Sequence, residues 1–185
     1  MDDPTTGVDC DPIDEAAVHE FWLRAARAIG VDRMDVVVGA DSTALVEPPA
    51  WRFGLSRQVA DNCVDLVVQG TKTATAGILE AYEAAGAPLP AVGELAIVCD
   101  ARGQPRALLR TDRVRLVPFD HVDAAHAAAE GEGERSLQEW RRTHWDFLCE
   151  VTGRPTAPLP DPLPSDVMVL ETFTCLYPKL PRRRA

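Results

Sequence analysis

Gly70-Thr71-Lys72-Thr73-Ala74-Thr75 is the stretch on which the fold turns. Before it, Ser56 to Gln69 carries Val59, Ala60, Cys63, Leu66 and Val67 inward at helical spacing, and Gly70 supplies the stop. The threonines after it favour an extended backbone, so Thr71 to Ala76 reads as a strand or strand entry. One lysine and several hydroxyls therefore stand at a helix-to-strand corner. Downstream, Glu130-Gly131-Glu132-Gly133-Glu134 sets carboxylates between glycines just ahead of a helix. A lysine, a hydroxyl and a carboxylate suffice for a small hydrolytic site. A capped turn and a solvated acidic loop account for the same residues.

The elements around these runs follow from caps and periodicity. Asp11-Pro12 opens a helix that runs to about Ile29, with Asp14 in its first turn and Val18, Phe21, Trp22, Ala25 and Ile29 on one face. Val36 to Val38 is a short strand, and Tyr82 to Pro90 a loop. Leu95 to Cys99 and Arg106 to Val117 pair as a hairpin. His121 to Ala129 is a short helix, Ser136-Leu137-Gln138-Glu139 a capping box that launches another to about Val151, and Val167 to Tyr177 an interior strand. Prolines make 155–164 irregular. Strands and helices alternate without regular βαβ spacing, which gives an α+β class with a curved or closed sheet.

The 185 residues carry a formal net charge of −10, which argues against a duplex-DNA binder. Arg102, Arg106, Arg110, Arg113 and Arg115 still cluster along one hairpin, enough for a short anionic ligand or simply a solvated strand face. Five scattered cysteines without a CxxC fit reduced thiols, and no His/Cys set has zinc spacing. No apolar run reaches the roughly 18 residues of a membrane span, so a soluble, cytoplasmic protein without a membrane partner is expected. The acidic opening to Cys10 and the basic tail at 179–185 are expected to be disordered.

Six ordered pieces of this chain are similar to the ASCH family, a PUA-like β-barrel group linked with RNA. They are Trp51-Arg52-Phe53-Gly54, the Gly70 to Thr75 run, Leu89-Pro90-Ala91-Val92-Gly93-Glu94, Pro118-Phe119, the Glu130 to Glu134 run, and Ser136-Leu137-Gln138-Glu139-Trp140-Arg141 with His144. The resemblance implies a PUA-like small β-barrel with flanking helices over residues 49–178, preceded by an acidic extension (1–48) with one helix. It also implies one of two activities: amide hydrolysis of an N4-acylated cytidine, or metal-dependent cleavage of single-stranded RNA. A non-catalytic RNA-binding module is the third possibility. The amidohydrolase members use a lysine, a threonine and a glutamate, which by motif position resemble Lys72, Thr75 and Glu132. The acidic run departs from the longer members at Glu134, where they usually carry aspartate.

For amide hydrolysis, Thr75 is the nucleophile once a base takes its proton. Lys72 is either that base, its charged form disfavoured by burial, or a charged group that polarises the carbonyl while Glu132 handles the proton. In a regular strand, residues three apart face opposite sides, so Lys72 and Thr75 meet one cleft only if the strand starts after Lys72 or bulges. Thr73 is the competitor in a shifted register. Trp51, Thr73, Glu130 and Arg141 are the expected substrate contacts, Trp51 by stacking on a base, while Trp140 is expected in the core. The amidohydrolase needs no cofactor; the ribonuclease would hold a divalent metal on the carboxylates of the 130–134 loop. The expected ligand is a modified pyrimidine nucleoside or single-stranded RNA. His19, His121 and His126 show no partner pattern and receive no role.

Overall fold

A computed structural model describes residues 10–30, 46–54 and 56–180; the strand expected at 36–38 and most of the acidic opening and basic tail lie outside them. In chain order the elements are α1 (Glu15–Ile29), β1 (Ala50–Trp51), α2 (Arg57–Val68), β2 (Ala74–Ile78), α3 (Leu79–Ala85) and β3 (Leu95–Cys99). There follow β4 (Pro105–Pro118), a 3-10 turn (Phe119–His121), α4 (Ala124–Glu130), α5 (Leu137–Thr152) and β5 (Val167–Tyr177). The strands hydrogen-bond in the order β1-β3-β4-β5-β2; β1 runs parallel to β3, whereas β3/β4 and β2/β5 are antiparallel. The described residues divide into two compact units, one of those up to 70 with 94–110 and 174–180, the other of 71–93 and 111–173.

In the first unit, α1 starts at Glu15 rather than Pro12. The Asp14 carboxylate accepts from Ala17 N at 3.0 Å and is the N-cap. Asp11 is engaged elsewhere, its amide on Ala101 O and its carboxylate on Arg57. The buried face of α1 (Val18, Phe21, Trp22, Ala25 and Ala26) packs with Ile97, Cys99 and Leu108 into one core, with Ile29 at its margin. Helix α2 is capped by Ser56 and buries Ala60, Cys63, Val64 and Val67. Val59, expected inward, is 40% exposed and Val64 takes its place, because 60, 63, 64 and 67 form the tighter helical stripe.

The second unit places the ladder differently from expectation. Strand β2 begins at Ala74, not Thr71, so Lys72 stands before the pleat and is not bound by its alternation. Ala76 and Ile78 join Met168, Leu170, Phe119, Trp140, Trp145 and Leu148 in a second core. The expected loop at 82–90 opens as helix instead: Leu79 to Ala85 are good helix formers, and Gly86 ends them at φ +61°. The helix expected from His121 starts at Ala124, where Asp123 caps it, and Ser136 caps α5 by accepting from Glu139 N at 3.2 Å. Strand β5 has the expected bounds and lies inside the sheet, and 155–164 holds neither helix nor strand. Among the described residues, no helix is long and apolar enough to cross a membrane.

The corrected face of α2 is testable by denaturant unfolding. Val64→Ala should lower stability by about 2 kcal/mol through lost burial, while Val59→Ala should cost well under ~1 kcal/mol. Equal shifts in midpoint would contradict this orientation.

Candidate active site

Lys72 reaches its position because two backbone segments of the second unit touch. Thr73 N donates to Ala129 O at 2.8 Å, holding 71–73 against the end of α4. Gly131 closes that helix at φ +75°, and a Cβ there would lie 2.7 Å from Thr71 O. Only glycine permits both the left-handed turn and the approach. The loop beyond it is fixed at several points. Arg135, at φ 61°, donates from Nε and Nη2 to Ala128 O, its amide donates to Glu132 O, and the Glu139 carboxylate accepts from Glu134 N. Glu139 thus reaches further back than an ordinary capping box would.

Among the described residues, Lys72 is one of the largest fully buried side chains. Its Nζ lies 2.5 Å from Glu132 Oε1 and 3.3 Å from Glu130 Oε2. An ammonium flanked by two carboxylates is a donor, the arrangement that the charged-lysine alternative requires. The two acids differ sharply in setting: the Glu132 side chain is 43% exposed and that of Glu130 only 3%.

Glu130 is the hub behind Lys72. Its Oε1 accepts from Trp140 Nε1 at 2.6 Å and faces His144 Nε2 at 3.5 Å. His126 Nε2 is 3.1 Å from the same oxygen, although outside good hydrogen-bond geometry. Burial alone would push the Glu130 carboxyl above its usual value; the opposing pull of His144, Lys72 and His126 wins and holds it well below the usual carboxylate value. Trp140 is in the core, as expected, with His144 stacked on it at 4.0 Å between ring centroids.

The site belongs to a known family. The ASCH domain model matches residues 49–177. This chain is a member of the ASCH domain family. Its fold is similar to the crystal structure of an ASCH domain from Lactobacillus crispatus JV V101, with a TM-score of 0.66 and 24% identity over 89% of this chain and 96% of that one. It is also similar to the structure of a protein from Enterococcus faecalis V583, with a TM-score of 0.63 and 27% identity over 85% and 93% of the two chains. No curated protein matches the sequence. The α+β, PUA-like class expected of the ASCH resemblance therefore holds.

Within this ASCH domain the expected site residues separate. Lys72, Glu130 and Glu132 meet; Thr75 is not among the contacts of that ion triad and lies on β2 opposite Glu171 of β5. Glu130, expected to touch substrate, is instead buried with its oxygens directed at Lys72, Trp140 and the histidines. Thr73 is exposed, its hydroxyl donating to Ala129 O at 3.2 Å. Arg141 is half-buried and donates from Nη2 to Asp120 O. Trp51 belongs to the first unit, on β1, edge-on to Phe53 at 4.7 Å. Arginines of the expected strip pair internally: Arg106 with Asp65 and Asp100 in the first unit, Arg115 with Asp123 in the second. His126 was missed, although its spacing of four from Glu130 on a helix was the available signal.

The loop carboxylates do not fit a divalent ion. Lys72 Nζ already occupies the position between Glu130 and Glu132, and among the described residues no three His, Cys, Asp or Glu side chains converge on a metal position.

Two variants test this architecture. A carboxyl held below its ordinary value of 4.5 stabilises the fold above that value and loses the contribution as pH falls through the depressed one. Glu130→Gln should therefore be about 3–5 kcal/mol less stable than wild type at neutral pH, with the gap narrowing below pH 4.5 in urea melts. A gap that does not change with pH would mean that Glu130 is not held as a buried anion. Gly131→Ala should be destabilised by ~2 kcal/mol or more, from positive φ and the contact with Thr71.

Proposed function

We propose that this ASCH domain is a hydrolase of a small modified nucleoside, cutting the amide of an N4-acylated cytidine. The observation that carries it is the buried Lys72 ammonium clamped to the half-exposed Glu132. Family membership and the net charge of −10, which suits a neutral ligand better than a long polyanion, add to it.

In this reading the acyl oxygen takes up negative charge as the amide is attacked, and Lys72 donates to it in a site largely closed to water. Thr75 supplies the attacking hydroxyl and leaves an acyl-threonine. Glu132, already oriented by Lys72 and open to solvent, removes the proton of the water that hydrolyses that ester. Glu130, with Trp140 and the histidines, keeps the lysine charged and in place. Thr73 and Arg141 remain the candidates of the second unit for binding the nucleoside. No step runs through a metal or cofactor.

Deacylation of N4-acetylcytidine with chelator present is the direct test. Lys72→Ala and Glu132→Ala should each lower kcat/KM by about 10²–10⁴-fold. Full rates in both variants would sink the proposal. Binding without turnover in wild type would assign the cleft to recognition alone, and RNA cleavage abolished by chelation would reinstate the ribonuclease.

A further inference from the structure

Thr75 stands in a row of polar side chains that crosses three strands of the second unit. Its register partner on β5 is Glu171, and directly opposed residues of an antiparallel pair share a face with Cβ atoms about 4.5–5.5 Å apart. On the other side of Glu171, the Thr111 hydroxyl of β4 donates to Glu171 Oε1 at 2.6 Å. A carboxylate thus sits between two threonines, fixed by one and beside the other.

The neighbourhood of the row is shaped as well. Gly77, two residues along β2 on the same face as Thr75, is a poor strand former; a Cβ there would lie 2.8 Å from the Tyr82 ring. The missing side chain lets α3 lay Tyr82 against the strand. Burial, and then the charge on Glu171, push the Tyr82 phenol above its usual value and keep its hydroxyl neutral. The row is partly shielded from water: Thr111 is buried, and Thr75 and Glu171 are half-buried.

We infer that Glu171 is the group that takes the proton from Thr75. This rests on the nucleoside-hydrolase reading and supplies what it lacked, since the Lys72 triad holds no acceptor assigned to that hydroxyl. Thr75 Oγ bonds to the acyl carbon as its proton passes to Glu171. The C–N bond then breaks, and the amine leaves with that proton. Water attacks the resulting ester, gives a proton to Glu132, and Thr75 Oγ regains it as the ester C–O bond breaks. The two acids divide the labour, Glu171 for acylation and Glu132 for deacylation.

The test has two arms. In the first, Glu171→Gln, which keeps the shape and an oxygen acceptor for Thr111, should lower kcat on N4-acetylcytidine by about 10²–10⁴-fold with KM nearly unchanged. Wild-type kcat in that variant would overturn the proposal. The second arm does not depend on the nucleoside. The Glu132→Gln protein is treated with p-nitrophenyl acetate and acetylated threonines are located by peptide mass spectrometry. Thr75 should be labelled well above exposed Thr73, and the excess should vanish when Glu171→Gln is added. Equal labelling of Thr75 and Thr73, or labelling indifferent to Glu171, would overturn the proposal. If wild type fails to deacylate the nucleoside, the hydrolase reading falls, and the labelling arm still decides the role of Glu171. Thermal melting shows whether Glu171→Gln is folded; if it is not, Glu171→Asp, with the charge withdrawn by one methylene, must reduce the labelling, and unchanged labelling overturns the proposal.

Discussion

The burial of one ammonium group sets the terms for the second unit. A lysine taken out of water is destabilising by several kcal/mol unless its charge is met, and Lys72 is met by two carboxylates from a single turn of chain. That requirement propagates outward. The turn must approach residue 71 closely, so glycine stands at 131; the inner carboxylate must itself be satisfied, so Trp140 and two histidines face Glu130. The same tryptophan belongs to the apolar core beneath β2 and β5. The charged group and the hydrophobic packing are thus held by shared residues, and neither is complete without the other.

Two glutamates separated by one glycine end in opposite surroundings. Glu130 is enclosed by donors and kept ionised; Glu132, one turn position on, meets solvent. Chemically identical side chains have been given different surroundings by the backbone geometry of one short loop. The loop that makes the difference is braced by Arg135 on Ala128 and by Glu139 on Glu134, so its shape does not rely on the ion triad.

Local signals were the legible ones. Ser56 and Ser136 announce their helices through caps, glycines end them, and β5 can be read from its apolar run because it is paired on both sides. Where competing signals lay close together the boundary moved: Asp11 and Asp14 both read as helix starts, and only the long-range pairing of Asp11 with Arg57 separates them. Helix α3 stayed hidden because seven residues following a strand show too little periodicity. The contact between Lys72 and Glu132 was legible through the family motif, not through spacing, since 60 positions separate them. Glu171 carries no local mark at all. It gains meaning only when β5 is set in register beside β2, and register is a property of the folded sheet.

The weaving of each unit from distant stretches has a consequence for the birth of the molecule. The core around α1 is built with Ile97, Cys99 and Leu108 and finished at its margin by Leu176 and Tyr177, so the apolar face of α1 stays incomplete until β5 has been made. The second unit, by contrast, is a nearly continuous block apart from 94–110. It can close as soon as β5 has emerged. Synthesis order therefore leaves Phe21 waiting for its edge-on partner Tyr177 after the other core neighbours of α1 are in place.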